Sequence, residues 1–567
     1  MFDTTVPQRT ATLLTTNSGL LTSSTMSSNF QTVPPCVLHE DEHLLVVNKS
    51  AGMNTHAPSP FAGEGVYDWL KHREPRWANL AILHRLDKET SGVMVFGKSA
   101  LANRSLTEQF TRREIQKKYL LLTDRRPTQR EFVVKSKIVR AGERYVSGAN
   151  GEVAETHFQW IPDQSPVAGS YLLEAKPLTG RTHQIRVHAA ESGLPILGDA
   201  LYGGTNFGRV CLHATELSFV HPADGKARTF SAPIHLEADS RSSLRTSLID
   251  FEQTNAFRLI HGASDGWPGW YVERLGNYLL SQSEQPLSSG QLDYLKELSP
   301  SASAVSSSAV SIYHKTLNRQ VRRTSVNEAS PQLVLGEPAP ERFAILENGV
   351  QFELSFNEGY SVGLFLDQRD NRRRLLTGHI ASGFDFQSTR ADSPVEILNA
   401  FAYTCGFSVC AAKSGARVTS LDLSKKYLEW GKRNFALNGL DPAAHDFIYG
   451  DAFDWMRRLT KKSRAFDLIV LDPPTFSQSK EHGAFRVEKD YGRLVTAALP
   501  LLKVDGILLA STNAADWEPA AFLESVSNAI QNANRKIVQQ HYVPQPPDFP
   551  VSKTEPAYLK TVWLRVS

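Results

Sequence analysis

At 567 residues, with 62 Lys+Arg against 59 Asp+Glu and a net charge of +3, the chain is too long for one hydrophobic core and predicts two to four domains. Its mild basicity excludes an overwhelmingly cationic coat for nucleic acid, so any such contact must come from local patches. Four scattered cysteines, Cys36, Cys211, Cys405 and Cys410, exclude a disulfide framework, form no CxxC pair for zinc and fit a reducing, cytoplasmic compartment, with no metal expected.

Residues 1–33 are rich in Ser and Thr and nearly uncharged, and Met26 sits close to where patterned sequence begins. They read as a disordered tail, or as upstream sequence from a misplaced start. An organellar transit peptide, with Arg9 as its single basic residue, is the alternative. No run approaches the ~20 apolar residues of a membrane span, so no membrane partner is expected.

From residue 34 to about 240, apolar runs recur as HLLVVNK (43–49), KYLLLT (118–123), YLLEAKPL (171–178) and VCLHATELSF (210–219), punctuated by Gly, Pro and Asp. That rhythm predicts a mostly antiparallel α+β domain. A polar stretch from 233 to 257 suits a linker or connecting helix. A small β-rich connecting domain follows at 255–380, interrupted by SPSASAVSSSAVS (299–311), which reads as an exposed loop. Within 381–567 the strands VEILNAF, VTSLDL, FDLIVLD and GILLAST alternate with helical segments such as SKKYLEWGKRNFALNGL (424–440), the pattern of a Rossmann-like α/β sheet.

Two strings in the first domain carry chemistry: HRLDKETSG (84–92) and GRTHQIRVH (180–188). Taken alone, the first passes for a solvated turn and the second for an exposed basic strand. Together with HLLVVNKSAGMNTHAP (43–58), GLPILGDALYGG (193–204) and LHATELSFVHP (212–222), they resemble the large ribosomal and transfer RNA pseudouridine synthase family, over about residues 37–235. Ser50 stands where that family usually has proline. Isomerising uridine breaks the C1′–N1 bond and rejoins the base through C5, for which one ionised carboxylate suffices without cofactor or metal. The resemblance implies that Asp87 is that carboxylate and Arg186 its guanidinium partner. It implies further that Tyr119 stacks on the target base and that Arg85 fills the space the flipped base leaves.

In the last domain EILNAF (396–401) leads into AYTCGF (402–407), a strand, a small-residue turn and a helix. Asp422, Asp451 and Asp472 each end one of the following strands. One such Asp is ordinarily a helix cap or turn former; the ordered set resembles the class I S-adenosylmethionine-dependent methyltransferases. DPPTFSQSK (472–480) narrows the resemblance to ribosomal RNA methyltransferases, which implies 23S ribosomal RNA as partner and S-adenosylmethionine as cofactor. The resemblance assigns cofactor binding to Phe401, Tyr403, Thr404, Gly406, Asp422, Asp451 and Asp472. The substrate base falls to Asp472, Pro473, Pro474 and Phe476. Cys405 stands where related turns have Gly, and its Cβ is expected to crowd the methionine part of the cofactor.

Two relatives compete. GYSVGLFLDQRDNRR (359–373) and DGWPGWYVERLGNYLLSQ (265–282) look like the segment shared by cytosine-C5 and guanine-N7 methyltransferases of the large subunit, whereas 422–440 and 471–480 look closer to the guanine-N7 half of the fused bacterial guanine methyltransferase. Cytosine C5 chemistry needs a thiol to add at C6, and no cysteine follows Cys410. Ring-nitrogen methylation, with guanine N7 favoured, is therefore expected. The rivals are a synthase carrying a non-catalytic, methyltransferase-like RNA-binding platform, a cytosine-C5 partner activity, and transfer RNA as substrate of the first half. Arg369, Arg372, Arg373 and Arg374 form either a solvated helix face or an RNA-backbone contact.

Overall fold

The computed structural model of the protein describes residues 33–236, 240–301, 310–317, 325–359, 361–386, 394–479 and 483–567. The expected tail and most of the Ser/Ala-rich loop at 299–311 lie outside the described residues.

The N-terminal part is built on an 11-stranded sheet. Its main path runs Val37–Glu40, Leu44–Lys49, Ser91–Gly97, Leu212–Val220, Gln116–Thr123, Tyr171–Pro177, Glu152–Ile161, Glu131–Ala141, Arg144–Ser147, with Ala81–Ile82 added beside Ser91–Gly97 and Ala227–Ser231 beside Leu212–Val220. Pairing is antiparallel except between Ser91–Gly97 and Leu212–Val220, where His213 faces Ser91 and Ala214 faces Gly92. The strands at Leu44–Lys49 and Ser91–Gly97 are apolar on both faces, and both faces are covered. Gly92 (φ 119) is required here, because a Cβ would collide with the Ala214 backbone of the parallel neighbour. GRTHQIRVH, which in isolation passes for an exposed basic strand, instead opens the helix Gln184–Glu191, whose first six residues are buried.

The polar stretch after Pro233 holds the helix Ser240–Leu248. Leu244 and Leu248 pack into the synthase-side core, while Arg245 donates to Asp265 Oδ2 at 2.7 Å. A 5-stranded sheet follows, from Ala256–His261 to Gln332–Leu335. The hairpin Phe343–Glu347/Val350–Leu354 and the helix Arg369–Thr377 then bury Phe352, Leu354, Leu375 and Leu376 in the same core as Ile397, Val409 and Phe435. The boundary expected at residue 380 therefore cuts through one packed core. The sequence shows no linker composition there to contradict the strand pattern, but tertiary packing assigns the hairpin and helix to the last domain.

The C-terminal sheet has seven strands in the order Asp446–Tyr449, Arg417–Asp422, Glu396–Ala400, Phe466–Leu471, Leu502–Thr512, Lys560–Val566, Ile537–Val543. The first five are mutually parallel, and Lys560–Val566 is inserted antiparallel. Strand order reverses between Glu396–Ala400 and Phe466–Leu471, so a crevice opens beyond their carboxyl ends, where open α/β sheets bind ligands.

The four arginines at 369–374 follow neither expectation. All are buried and paired. Arg369 meets Asp548 Oδ2 at 2.9 Å, Arg372 meets both oxygens of Glu347 at 2.7 Å, Arg373 meets Glu74, and Arg374 Nη2 lies 3.8 Å from Glu64. Their acids are 25 to 310 positions distant in sequence, so no local pattern could reveal the pairing. Glu74 and Glu64 belong to the synthase part, and the arginine helix thus fastens the two halves together.

Removing one partner of a buried pair leaves an uncompensated charge, worth about 3–5 kcal/mol. Arg373→Ala is therefore expected to lower the stability of the interface, and calorimetric scanning should resolve separate synthase and methyltransferase transitions that overlap in the parent. Unchanged, coincident transitions would show that Arg373 and Glu74 do not couple the halves.

Candidate active sites

The first cleft, about 780 Å³, gathers Arg85, Asp87, Tyr119 and Arg186. The turn that carries Asp87 is held from below. Thr55 Oγ1 donates to Leu86 O (2.9 Å), Gly52 N donates to Lys88 O (2.8 Å), and the buried Lys49 ammonium donates to the carbonyls of Ser50, Met53 and Lys88. His84 Nε2 accepts from Val95 N, and Ser91 bonds His213, so both ends of HRLDKETSG are pinned to the sheet.

Arg186 enters from the helix Gln184–Glu191, with Nη1 3.9 Å from Asp87 Oδ2 and 3.5 Å from Glu89. Its fork is fixed by Asp199, which accepts from Nε at 2.6 Å and Nη2 at 2.8 Å, and the Tyr202 ring lies 5.1 Å from the guanidinium carbon. Burial raises the Asp87 carboxyl above its ordinary range, while His183, Arg186 and Lys49 oppose that rise. Burial, with the Asp87 charge adding, also raises the Tyr119 phenol, which therefore stays protonated. Arg85 is exposed at the rim of the cleft. Sequence reasoning left two groups unassigned. Asp199, within the quoted GLPILGDALYGG, is the clamp on Arg186. His183, held in the left-handed region at φ 57, bonds the Tyr202 hydroxyl through Nδ1 at 2.8 Å.

The second cleft, about 1330 Å³, lies at the switch point of the parallel sheet. Phe401, Tyr403, Asp422, Asp451, Asp472, Pro473, Pro474 and Phe476 all line it. Thr404 and Gly406 do not. Thr404 is buried behind the turn and donates to Gly363 O at 2.5 Å. A Cβ on Gly406 would press on Leu364 and the Arg372 stem, so its lack of a side chain serves packing against the arginine helix.

The turn alternates left-handed residues, Phe401 (φ 62), Tyr403 (φ 48) and Cys405 (φ 65), each costing an L-residue about 1–2 kcal/mol. Asp422 supports it by accepting from Tyr403 N at 2.7 Å as well as from Ser424 N at 2.8 Å. Asp451 caps the helix Ala452–Lys461 through Phe453 N and Asp454 N while lining the cleft. Cys405 does not line the cleft. Its side chain is fully buried on the far side of the turn, where a Cβ on Gly431 would collide with its Sγ.

The cleft floor is acidic. Asp472 accepts from Gln368 Nε2 at 3.2 Å, and Asp367 accepts from the Tyr558 hydroxyl at 2.9 Å. Burial and the nearby Asp367 charge push the Asp472 carboxyl up to about 7. The walls are aromatic, with Tyr403 edge-on to Tyr427 (4.6 Å) and Phe485 between Phe401 (6.3 Å) and Phe453 (6.2 Å). Asp367 and Gln368 belong to the segment quoted above as shared with large-subunit methyltransferases; only the fold brings them beside Asp472. Carboxylates, flat apolar walls and a strand-end Asp fit a sulfonium-bearing nucleoside, so the donor set suits S-adenosylmethionine.

A family model described as RNA pseudouridylate synthase matches residues 43–191, and one described as S-adenosylmethionine-dependent methyltransferase matches residues 258–565. The chain is thus an enzyme that joins a pseudouridine synthase domain to a methyltransferase domain that uses S-adenosylmethionine. It belongs to the S-adenosylmethionine-dependent methyltransferase family. A ribosomal RNA large subunit methyltransferase of Deinococcus radiodurans is 30% identical over 329 residues, 58% of this chain and 76% of its own length. A crystal structure of a methyltransferase complexed with SAH shares 29% identity over 58% of this chain and 78% of its own, with a TM-score of 0.47. The human RNA pseudouridylate synthase domain containing 4 shares 28% identity over 37% of this chain and 92% of its own, with a TM-score of 0.29.

Two outcomes follow from the charges. Arg186→Gln removes a cation that holds the Asp87 carboxyl down, so the acid limb of the pseudouridine-forming kcat/KM profile is expected to move to higher pH; an unmoved limb would dissociate Arg186 from Asp87. Asp472 titrates near 7 in the folded chain against an ordinary value of 3.8, so the folded state binds the extra proton between those pH values and loses stability as pH rises through them. Relative to Asp472→Asn, the ligand-free parent should therefore lose Tm between pH 4 and 7, measured by thermal denaturation.

Proposed function

We propose that the chain isomerises uridine to pseudouridine and methylates a ring nitrogen, with guanine N7 favoured, in large-subunit ribosomal RNA. The carrying observation is the Asp87 carboxylate, with Glu89 as its neighbour, beside a clamped guanidinium in the first cleft, together with a second cleft whose described lining holds no thiol. In the first cleft Asp87 acts on the ribose, either at C1′ or as the base of a glycal route. The C1′–N1 bond breaks, C1′–C5 forms, the C5 proton leaves and N1 gains one. Arg186 keeps Asp87 ionised, and the neutral Tyr119 offers a ring face for the base.

Bound S-adenosylmethionine supplies an electrophilic methyl group on a sulfonium. Around it, Asp367 and Asp472 place negative charge at the cleft floor, the aromatic walls exclude water, and Pro473, Pro474 and Phe476 border the space for a base. Cys405 and Cys410 are both buried, and burial raises both thiols far above neutrality, Cys405 up to about 12. Neither lines the cleft, which disfavours the cytosine-C5 route. The relatives' names support the large ribosomal RNA as substrate and leave the methylated base unstated. Cys405, the one residue that favoured a non-catalytic platform, points away from the cofactor space.

Asp87→Asn is expected to lower pseudouridine formation at least ~10²-fold, as losing a base or covalent catalyst does, and to leave methyl transfer intact. Mass-spectrometric nucleoside mapping of ribosomal RNA reads both. Formation of 5-methylcytidine, or an RNA adduct trapped by 5-fluorocytidine, would overturn the ring-nitrogen reading.

A further inference from the structure

The synthase helix Val66–Arg73 and the methyltransferase edge strand Ile537–Val543 meet across the interface between the halves, with Phe61 edge-on to Tyr542 at 5.1 Å. There Glu64, His72 and His541 converge, each offering one ligand-type atom within 4.8 Å of the others. His72 Nδ1 lies 2.6 Å from Glu64 Oε1, and the His72 and His541 rings stand edge to face at 4.3 Å. His541 Nε2 is buried and has no hydrogen-bond partner. Buried polar atoms are otherwise nearly always satisfied, so an orphaned imidazole nitrogen beside a second imidazole and a carboxylate is an observation that asks for a ligand.

We propose that Glu64, His72 and His541 bind a divalent transition metal, zinc by its donor set, across the synthase–methyltransferase interface. Two imidazoles and one carboxylate are a recognised zinc set, leaving a fourth position for water. Burial holds the His541 imidazole neutral well below its ordinary pKa, and His72, Arg374 and His379 act in the same direction. Arg374 opposes a cation, with Nη2 3.8 Å from Glu64 Oε1, but its other nitrogens are engaged, Nε with Ile380 O and Nη1 with Asp370 O. The two imidazoles and the carboxylate must outweigh it. None of the three ligands lines either cleft, so the ion would clamp the halves and take no part in chemistry, and the proposal does not rest on the function proposed above.

The test uses the full chain, stripped with chelator and titrated with zinc chloride by calorimetry, with cobalt chloride as a spectroscopic probe. The expected result is one zinc per chain, a Co²⁺ absorption band of low-symmetry N/O ligation, and a zinc-dependent rise in Tm. His541→Gln should weaken zinc binding at least tenfold, while binding of S-adenosylmethionine, measured on the same sample, confirms that the variant is folded. Glu64→Gln serves as a second variant with the same expected loss. No stoichiometric zinc in the parent overturns the proposal whatever the variants do. So does zinc bound with equal affinity by both variants, which would place the ion elsewhere.

Discussion

A buried guanidinium must find a carboxylate, and the helix Arg369–Thr377 presents four of them to the interior. The demand organises the molecule. Arg372 draws in Glu347 of the hairpin, Arg369 draws in Asp548 of the segment before the last strand, and Arg373 and Arg374 draw in Glu74 and Glu64 of the synthase part. The helix continues into the second cleft through its other polar residues. Trp563 Nε1 donates to Asn371, Asn371 donates to Gln368, and Gln368 donates to Asp472 and Ser511 at the cleft floor. The polar residues of this helix thereby fix both where the synthase part sits and where the Asp472 carboxylate at the cleft floor points. Satisfied networks of this kind specify geometry more than they add stability.

The cofactor turn is the strained counterpart of that support. Three L-residues in left-handed conformation persist only where surrounding structure over-determines them. Here Asp422 takes the Tyr403 amide, Thr404 ties to Gly363, and Asn434 Nδ2 bonds Thr404 O at 2.9 Å. Gly363 itself sits at φ 124 with no room for a Cβ against Glu353 O and Trp430. The residue that looked anomalous in sequence, Cys405, is one of these supports. Its position at the start of the helix Gly406–Lys413 costs backbone strain, and its thiol fills the gap left by Gly431.

Legibility tracks locality. Strands such as Leu44–Lys49, Gln116–Thr123 and Phe466–Leu471 are readable because their apolar runs and flanking turns are local. Eight of the residues assigned to the second site line one cleft because strand ends of a parallel sheet share an edge, a property of the topology. Thr404 and Gly406 show where that reasoning stops, since a turn residue one place along the chain faces the opposite side. Asp199, Asp367 and Gln368 were quoted in strings yet unassigned, because their roles exist only through Arg186 and Asp472, remote in sequence. The arginine run misled in the same way. Charged residues in a row signal a solvent face unless acids from separate segments cover them, here three, and sequence order does not show that coverage.

The acidic floor of the second cleft bears on which atom accepts the methyl group. Burial and the Asp367 charge push the Asp472 carboxyl up to about 7, and burial raises Asp367 as well, so in the ligand-free chain a proton is retained there near neutrality. A sulfonium in the cleft would favour the ionised pair by direct attraction. Transfer to a ring nitrogen such as guanine N7 moves that positive charge onto the base without releasing a proton, so the same carboxylates remain opposite a cation throughout. Transfer to cytosine C5 would instead begin with thiolate addition and end with loss of the C5 proton, and the cleft's described lining offers no thiol. A fixed negative floor matched to a migrating positive charge needs no reorganisation during the step, and that electrostatic fit favours the ring-nitrogen acceptor over its carbon rival.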